Sequence, residues 1–349
     1  MLSFTVKRSA KCFFQQKNCL SSFNVIYENY GDPRKVLVGR EREIQPLKDG
    51  QVLLKFLASS VNPADINQIQ GVYPIKPSMP AVGGNEGVAT VIETKSQNLK
   101  VGDWVIPALA GSGTWRSHAV FNEKDAIKID NSLPLESAAT LSVNPCTAYR
   151  MLMDFERIDE GDVVLQNGAN SAVGQAVIQI ATDLRIKTVN VIRDRPRVEN
   201  LKRFLFDMGA DYVLTEEECK TQLSDILRKE SAPKLALNCV GGMSATNFLK
   251  YIRPKGTMVT YGCMSKIPFK ASAASLIFAD ITFKGFWMSR WNDENNQSAE
   301  RYRTLDYLSS LIKKNKLKCP PVSKVPLEKF PEAIENAMTE FTTHKQLLV

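Results

Sequence analysis

The order of apolar and polar residues between positions 163 and 181 predicts a strand, a tight turn and a helix in direct succession. Val163, Val164 and Leu165 form an uninterrupted apolar run, as expected of a strand covered on both faces. After Gly168, apolar residues recur at 173, 177, 180 and 181, which is the spacing of one helix face. Such a segment directs free backbone N–H groups toward an anion, so we predict a phosphate site here.

Apolar strands and amphipathic helices continue to alternate through the second half of the chain. Repeated strand–helix units with short connections imply a parallel sheet with helices on both faces, whose ligands bind at the carboxyl ends of the strands. We therefore predict an α/β domain with a Rossmann-type, doubly wound parallel sheet. Its further predicted strands are 188–192, 212–214, 235–240 and 257–261, and its predicted helices are 137–155, 198–208, 220–229 and 245–252.

The first half of the chain has a different pattern, in which short strand-like runs are separated by turns rich in Gly, Pro and Asp. Helical signals are few there, so the pattern predicts a mostly β, partly barrel-like domain. The predicted strands are 25–27, 35–38, 51–57, 87–92, 102–107 and 113–115.

The glycine turn after residue 167 differs from the standard dinucleotide fingerprint. That pattern expects glycine where this chain has Asn170 and Val173, so the motif alone is a weak signal and an ordinary strand–helix connection is the alternative. Gly168 still permits a tight turn, and Gly174 permits close packing of the helix on the strand.

The end of the next strand carries a second signal. In a nucleotide-binding unit this point meets the adenosine ribose, where an acidic residue suits a free 2′-hydroxyl and arginine suits a 2′-phosphate. Arg193 and Arg195 flank Asp194 there, which favours NADPH over NADH. A solvated basic turn is the alternative interpretation.

The first 22 residues are basic and free of acidic residues. Serine and phenylalanine are interleaved with the positive charges, which is typical of an organelle transit peptide; a disordered basic arm is the alternative. The chain of 349 residues carries a formal net charge of +8, a modest excess without the dense basic run of a nucleic-acid binder. No apolar run approaches the roughly 18 residues of a membrane span. The positive residues of the leader are Lys7, Arg8, Lys11 and Lys17.

Cysteine and histidine usage argues against a metal site. The seven cysteines are scattered and never spaced as CxxC, which is typical of reduced thiols in an intracellular compartment. A catalytic zinc needs three protein ligands, but no cysteine lies between Cys19 and Cys146 and the only histidines are His118 and His344. We therefore predict no metal.

Several longer strings together resemble one family. The chain is similar to the mitochondrial trans-2-enoyl-thioester reductases of fatty-acid synthesis, in the zinc-free, quinone oxidoreductase-like part of the medium-chain dehydrogenase/reductase superfamily. The resemblance runs from about residue 24 to the end of the chain. The strings that carry it are VNPADIN (61–67), IQGVY (69–73), PAVGGNEG (80–87), GTWR (113–116), VNPCTAYR (143–150), GANSAVGQAVIQ (168–179), VIRDRP (191–196), LNCVGG (237–242) and GFWMS (285–289).

The resemblance implies a domain plan and partners. It implies a mitochondrial transit peptide at 1–22, a β-rich, GroES-like catalytic domain at 23–143 with 315–349, and a Rossmann NADPH-binding domain at 144–314. It further implies a homodimer in the mitochondrial matrix that acts on enoyl-CoA or enoyl acyl carrier protein, without nucleic acid and without membrane insertion.

The resemblance also implies site residues. Tyr73 matches the proton-donating tyrosine of the family. Three positions depart from its common pattern, where Pro74, Ala172 and Cys263 replace glycine, but none of these changes removes a functional group. The positions that match NADPH contacts are Asn144, Asn170, Ser171, Ala172, Val173, Arg193, Asp194, Arg195, Tyr261, Gly262, Cys263, Met264, Phe286, Trp287, Met288, Ser289 and Lys345.

The implied reaction saturates a carbon–carbon double bond conjugated to a thioester. Hydride from NADPH goes to the β-carbon, charge develops on the thioester oxygen, and a phenol that is protonated at neutral pH supplies the α-proton. Arg116 and surface lysines are candidates for contact with the phosphopantetheine or an acidic carrier. Trp115, Phe286, Trp287 and Met288 are expected either to line an acyl channel or to be plain core.

Two other functions remain open from the sequence. A zinc-free NADPH quinone reductase of the same superfamily would share the glycine turn and the lack of metal ligands. A non-catalytic regulatory protein could keep the nucleotide site, because fold does not dictate function.

Overall fold

The computed structural model describes residues 20–349, so the predicted leader lies outside the described residues except for its last three positions. Ser21 and Ser22 open the first strand, and the buried hydroxyl of Ser22 donates a 2.7 Å hydrogen bond to the carbonyl of His118. These two residues therefore belong to the folded chain, while the bounds of the leader stay a prediction. Between residues 20 and 349, no helix combines the length and the apolar character that crossing a membrane requires.

The first half of the chain is built mainly from strands. From residue 20 onward, its α-helices are short: α1 (Pro33–Val36), α2 (Pro63–Ile69) and α3 (Leu135–Ala139). Its strands are β1 (Ser21–Tyr27), β2 (Val38–Glu43), β3 (Gln51–Ser60), β4 (Ala81–Val82), β5 (Gly87–Thr94), β6 (Trp104–Pro107), β7 (His118–Asn122) and β8 (Ala126–Ile129).

The second half is the predicted doubly wound domain. Its helices are α4 (Asn144–Asp154), α5 (Ala172–Asp183), α6 (Val198–Asp207), α7 (Glu216–Lys229), α8 (Gly242–Phe248), α9 (Ala273–Ile277), α10 (Met288–Glu294) and α11 (Ala299–Lys313). Its strands are β9 (Val163–Asn167), β10 (Lys187–Ile192), β11 (Tyr212–Thr215), β12 (Leu235–Asn238), β13 (Thr257–Thr260) and β14 (Thr282–Gly285).

The six strands of this domain form one parallel sheet in the order β11-β10-β9-β12-β13-β14. The order reverses between β9 and β12, and ligands of open α/β sheets bind beside such a reversal, at the carboxyl ends of the strands. The strands β9 to β13 are almost continuously buried, which explains their apolar runs in the sequence, whereas the edge strand β14 is largely exposed.

The end of the chain returns to the first half. It forms β15 (Val322–Val325), α12 (Phe330–Met338) and β16 (Lys345–Leu348). β16 pairs antiparallel with the end of β3, so the sheet β15-β16-β3-β5-β6-β8 joins the last strands of the chain to the β-rich half. β7 pairs with the beginning of β3, on the edge opposite β5. A smaller sheet, β2-β1-β4, lies in the same half.

Three local predictions were wrong, each for an identifiable reason. The segment 35–38 is not a strand, because the Asp32 side chain caps a helix with Pro33 in its first turn. The predicted helix 137–155 is two helices, since Pro145 lacks an N–H and so suits only the first turn of α4. The segment 113–115 is a loop that adds only an isolated bridge from Arg116 to Asn24.

The two halves share their largest apolar core. This core combines Ala58 and Val88 from the β-rich half with Val164 and Val259 from the parallel sheet, all of them at most 1% exposed. Leu347 of β16 belongs to the same cluster. Packing of this kind fixes the cleft between the two halves, where the site residues lie.

Candidate functional site

The turn after β9 has the geometry of a phosphate site. Gly168 adopts a φ of +59°, a conformation that favours glycine. The first four N–H groups of a helix have no partner within it. At α5 two of these groups are satisfied, because the N–H of Ser171 donates to the carbonyl of Gly168 at 2.9 Å and the N–H of Gly174 donates to the Ser171 hydroxyl at 3.2 Å. The N–H groups of Ala172 and Val173 remain available to an anion.

The basic turn after β10 holds two guanidinium groups beside the ring of Phe341. The centres of Arg193 and Arg195 lie 4.3 and 5.1 Å from the ring centroid. Within residues 20–349, neither guanidinium forms an ion pair, and the buried Nε of Arg195 has no hydrogen-bond partner. Burial and the charge of Arg193 lower the pKa of Arg195. Two guanidiniums so close together, with no ion-pair partner in the described residues, have the chemistry to hold an anion.

Asp194, between the two arginines, does not neutralise them. Its Oδ1 accepts a 2.9 Å hydrogen bond from the backbone N–H of Arg195, so the carboxylate supports the turn. The two guanidiniums therefore keep their positive charge without a carboxylate partner in the described residues.

The segment after β13 borders the same edge of the sheet. Tyr261 is half-buried, but its hydroxyl is inaccessible and has no hydrogen-bond partner in the described residues, and burial raises the pKa of this phenol well above its ordinary value. Gly262 follows, and then the exposed residues Cys263 and Met264. The N–H of Met264 donates to the carbonyl of Cys239 at 2.9 Å, which fixes this segment against the end of β12.

Tyr73 and Trp287 meet across the cleft. Tyr73 lies on the loop after α2, and Trp287 follows β14 and precedes α10. The indole Nε1 donates a 2.6 Å hydrogen bond to the phenol oxygen, and the two rings are perpendicular with centroids 5.7 Å apart. The structure thus brings a predicted catalytic residue of one half against a predicted cofactor contact of the other.

A buried polar network lies where the β-rich half meets the start of α4. The Asn62 Oδ1 accepts from Lys345 Nζ at 2.5 Å and from Asn144 Nδ2 at 3.4 Å, which joins two of the predicted contacts. The Asn62 Nδ2 donates to Glu86 at 2.9 Å, and Glu86 has no exposed surface. Glu86 also accepts from the N–H of Val143 at 2.8 Å, at the start of α4.

Burial and neighbouring charges shift the pKa values of two groups in this network. Partial burial lowers the pKa of the Lys345 ammonium, opposed by the nearby carboxylates of Glu86 and Asp65. Burial raises the pKa of Asp65 to about 6, although it accepts hydrogen bonds from the N–H of Asn62 and the side chain of Asn85. Sequence reasoning missed Asn62 and Glu86 as site residues; the available signal was a carboxylate within the glycine-rich string 83–87.

Some predicted residues lie away from the open cleft. Trp115 is fully buried and its Nε1 donates to the carbonyl of Ser60 at 3.1 Å, so it is core and does not line a channel. Phe286 and Met288 are also buried, in the core that joins the two halves. Of the four candidates for an acyl channel, Trp287 alone is half-exposed at the cleft.

Possible metal ligands are scattered in the part of the chain that the structure describes. No group of three His, Cys, Asp or Glu side chains within residues 20–349 is arranged to hold a metal ion. The His118 ring contacts the Ser117 hydroxyl, and His344 is exposed beside Thr343.

Comparison with known proteins identifies the family. The alcohol dehydrogenase GroES-like domain pattern matches residues 48–131, and the zinc-binding dehydrogenase pattern matches residues 172–302. The mitochondrial enoyl-[acyl-carrier-protein] reductase of Mus musculus is 51% identical to this chain, over 93% of this chain and 87% of the relative. The chain belongs to the mitochondrial enoyl-thioester reductases.

Solved structures agree with the reductase fold. The mitochondrial 2-enoyl thioester reductase Etr1p/Etr2p heterodimer from Candida tropicalis superposes on this chain with a TM-score of 0.89 at 34% identity. The superposition covers 95% of this chain and 100% of the Candida chain. A complex of Etr1p with NADP and crotonyl-CoA superposes with a TM-score of 0.88 at 34% identity and the same coverage. The two-domain arrangement is thus shared along nearly the whole chain.

The cleft of the reductase fits the NADPH cofactor that the sequence predicts. Six buried side-chain polar atoms lack a hydrogen-bond partner within the described residues, and two of them, the Nε of Arg195 and the hydroxyl of Tyr261, belong to predicted contacts. The free N–H groups at α5 suit a pyrophosphate, and the unpaired guanidiniums suit a 2′-phosphate. These donors lie along the carboxyl ends of β9, β10 and β13, as the switch-point rule expects.

Proposed function

We propose that this reductase saturates trans-2-enoyl thioesters with NADPH in mitochondria, and that Tyr73 donates the proton. The observation that best supports this role of Tyr73 is the hydrogen bond that the Trp287 indole donates to its hydroxyl across the cleft. Because an indole N–H only donates, the phenol oxygen accepts this bond and keeps its own proton for the substrate. The names of the relatives and the NADP and crotonyl-CoA in one solved relative support the substrate and cofactor.

The chemistry is divided between cofactor and chain. NADPH, when bound, supplies the hydride that the β-carbon receives. Negative charge then resides on the thioester oxygen, and the α-carbon must accept a proton. We assign this transfer to the Tyr73 hydroxyl, which the hydrogen bond from Trp287 and the perpendicular packing of the two rings orient in the cleft.

We assign the cofactor contacts from the geometry of the cleft edge. Arg193 and Arg195 take the 2′-phosphate, with Asp194 shaping their turn, and the N-terminus of α5 takes the pyrophosphate through residues 170–173. The segment 261–264 and the segment 286–289 continue this edge past β13 and β14. Asn144 and Lys345 reach it from the polar network around Asn62.

The substrates we propose are enoyl thioesters of coenzyme A or of an acyl carrier protein. Their reduction is the last step of mitochondrial fatty-acid chain elongation. One solved relative holds crotonyl-CoA, and the curated relative is named for an acyl carrier protein, so both thioester donors have support. Quinone reduction and a purely regulatory role are the alternatives that an assay must separate.

An assay that compares enoyl thioesters with a quinone, and NADPH with NADH, separates these functions. The purified full chain is expected to oxidise NADPH when crotonyl-CoA or trans-2-decenoyl-CoA is added, with formation of the saturated thioester measured by mass spectrometry. NADH is expected to be a poorer donor by roughly 10²-fold, because it lacks the phosphate that the arginine pair binds. Faster turnover with a quinone would favour the quinone reductase, and NADPH binding without any turnover would favour the regulatory protein.

We also propose that the reductase is a homodimer joined at β14. This strand is the last of the six-stranded sheet and has β13 as its one partner in the described chain. Unpaired edge strands are templates for pairing with another chain. The nearby residues Leu276, Ile277 and Phe278 are 49%, 70% and 83% exposed, and apolar exposure of this extent marks an interaction surface.

A charge placed on this surface is expected to separate the protomers. Light scattering of the unmodified protein should give twice the chain mass, whereas Phe278→Asp should give the mass of one chain, because burying a carboxylate without a partner is costly. Val101→Asp is the matched control, since Val101 is 64% exposed on the β-rich half and should leave the dimer intact. If the unmodified protein has the mass of one chain at micromolar concentration, the proposed dimer is refuted.

A further inference from the structure

Phe341 reaches the arginine pair from the opposite half of the molecule. It lies between α12 and β16, in the segment that returns to the β-rich half, whereas Arg193 and Arg195 follow β10 of the parallel sheet. The ring lies within 4.3 and 5.1 Å of the two guanidinium centres and is 42% exposed. One aromatic side chain therefore contacts both groups that we assign to the 2′-phosphate.

The physical effect of the ring is to hold two like charges close together. Guanidiniums repel each other, and within the described residues no carboxylate forms an ion pair with either of them. The negative face of an aromatic ring attracts cations, and arginine planes stack on it readily. Because a ring carries no net charge, it gathers the pair without neutralising the field that an incoming phosphate would meet. A carboxylate in its place would compete with that phosphate.

The backbone of Phe341 supports a specific placement. Its φ is +58°, in the left-handed region that bulky residues adopt only when their surroundings require it. In the neighbouring backbone, Lys345 begins β16 by donating its N–H to the carbonyl of Pro321 at 2.8 Å. The short segment from 339 to 344 thus presents the ring to the arginines from a fixed strand.

We propose that Phe341 is a positioning residue for the 2′-phosphate, so that the preference for NADPH over NADH depends on a side chain outside the nucleotide-binding domain. This inference rests on the proposed role of Arg193 and Arg195. The ring orders both guanidiniums before the phosphate arrives, and less conformational freedom is lost when it binds. The selectivity of the cofactor site is then built from both halves of the fold.

Calorimetric binding to the full chain tests this inference with four probes: NADP⁺, NAD⁺, adenosine 2′,5′-bisphosphate and ADP. Phe341→Leu keeps an apolar side chain but removes the aromatic face, and Phe341→Tyr keeps that face. For Phe341→Leu we expect the Kd of NADP⁺ and of the 2′,5′-bisphosphate to rise about fivefold, the range of an exposed cation–π contact made twice. The Kd of NAD⁺ and of ADP should be unchanged, and Phe341→Tyr should bind all four probes as the unmodified protein does.

Three results would overturn the inference. Unchanged NADP⁺ binding by Phe341→Leu would show that the arginines order themselves. Equal losses for ADP and for the 2′,5′-bisphosphate would assign the ring to the adenine. Equal losses for NAD⁺ and NADP⁺ would give Phe341 a general structural role.

A parallel measurement on Arg195→Ala separates the inference from the proposal beneath it. If this variant loses affinity for the 2′,5′-bisphosphate while Phe341→Leu does not, the proposed phosphate site stands and the role of Phe341 is refuted. If Arg195→Ala keeps full affinity, the phosphate site itself is refuted and the inference with it. Because Phe341 is partly exposed, its substitutions should leave the thermal midpoint of the apoprotein close to that of the unmodified chain.

Discussion

Tyr73→Phe is expected to lower kcat for crotonyl-CoA by about 10²- to 10³-fold, within the range that a positioned general acid contributes. The substitution removes the phenol oxygen that accepts the Trp287 hydrogen bond, and with it the proton that we assign to the α-carbon. The phenylalanine ring can keep the perpendicular packing on the indole, so the loop should retain its place. Stopped-flow oxidation of NADPH under saturating substrate measures kcat, and fluorescence titration measures the Kd for NADPH, which should not change.

A matched control removes a tyrosine hydroxyl that has no role in the cleft. Tyr30 packs against the same loop, where a side chain on Gly71 would meet its ring, and the ammonium of Lys76 lies 5.3 Å from the ring centroid. Tyr30→Phe keeps this packing and should keep the full kcat. If Tyr73→Phe is as active as Tyr30→Phe, Tyr73 is not the proton donor.

The substitution Trp287→Phe isolates the contribution of the hydrogen bond that orients Tyr73. It removes the indole N–H that donates to Tyr73 but leaves the phenol with its proton. The expected loss of kcat is therefore smaller than for Tyr73→Phe, about tenfold for one lost hydrogen bond. An equal loss for the two variants would indicate that Trp287 contributes more than the orientation of the phenol.

Replacement of Arg193 and Arg195 by alanine is expected to raise the Kd of NADPH by about 10²-fold, because charge-assisted hydrogen bonds to a phosphate are each worth about 1.5–3 kcal/mol before solvent screening. The Kd of NADH should change by no more than about twofold, since NADH has no 2′-phosphate for these guanidiniums to contact. The double variant should thus lose its preference between the two cofactors. Calorimetry with both cofactors gives the ratio directly.

A neighbouring arginine serves as the control for a general effect of removing positive charge. Arg203 is exposed on α6, the helix that follows the basic turn, and Arg203→Ala should leave the ratio of the two affinities unchanged. Added salt should weaken NADPH binding to the unmodified protein more than to the double variant, because exposed charges are screened. Parallel losses for NADPH and NADH in the double variant would argue against a 2′-phosphate site.

The architecture was largely predictable because its signals are local. A parallel sheet buried on both faces needs unbroken apolar strands, and Val163 to Leu165 shows this in three residues. The turn at Gly168 and the helix face that follows are likewise encoded within one short segment. Local signals were misread where a proline decides the outcome, as at Pro33 and Pro145.

The site was less predictable because its contacts are distant along the chain. The hydrogen bond between Tyr73 and Trp287 spans 214 positions, and the one between Asn62 and Lys345 spans 283. No spacing rule connects such residues, so Tyr73 was found through family strings alone. Glu86 was missed because a fully buried carboxylate has meaning only once its donors are known.

The apolar core that the two halves have in common has a consequence for inherited variation in this reductase. Side chains such as Val88 and Val164 pack in one cluster, so damage to either half weakens the native state as a whole. An amino-acid change far from the cleft, such as one that hollows this cluster, would therefore reduce the amount of enzyme in the organelle. The molecules that remain folded would keep the geometry of the cleft, and abundant NADPH would raise the folded fraction because it binds the native state.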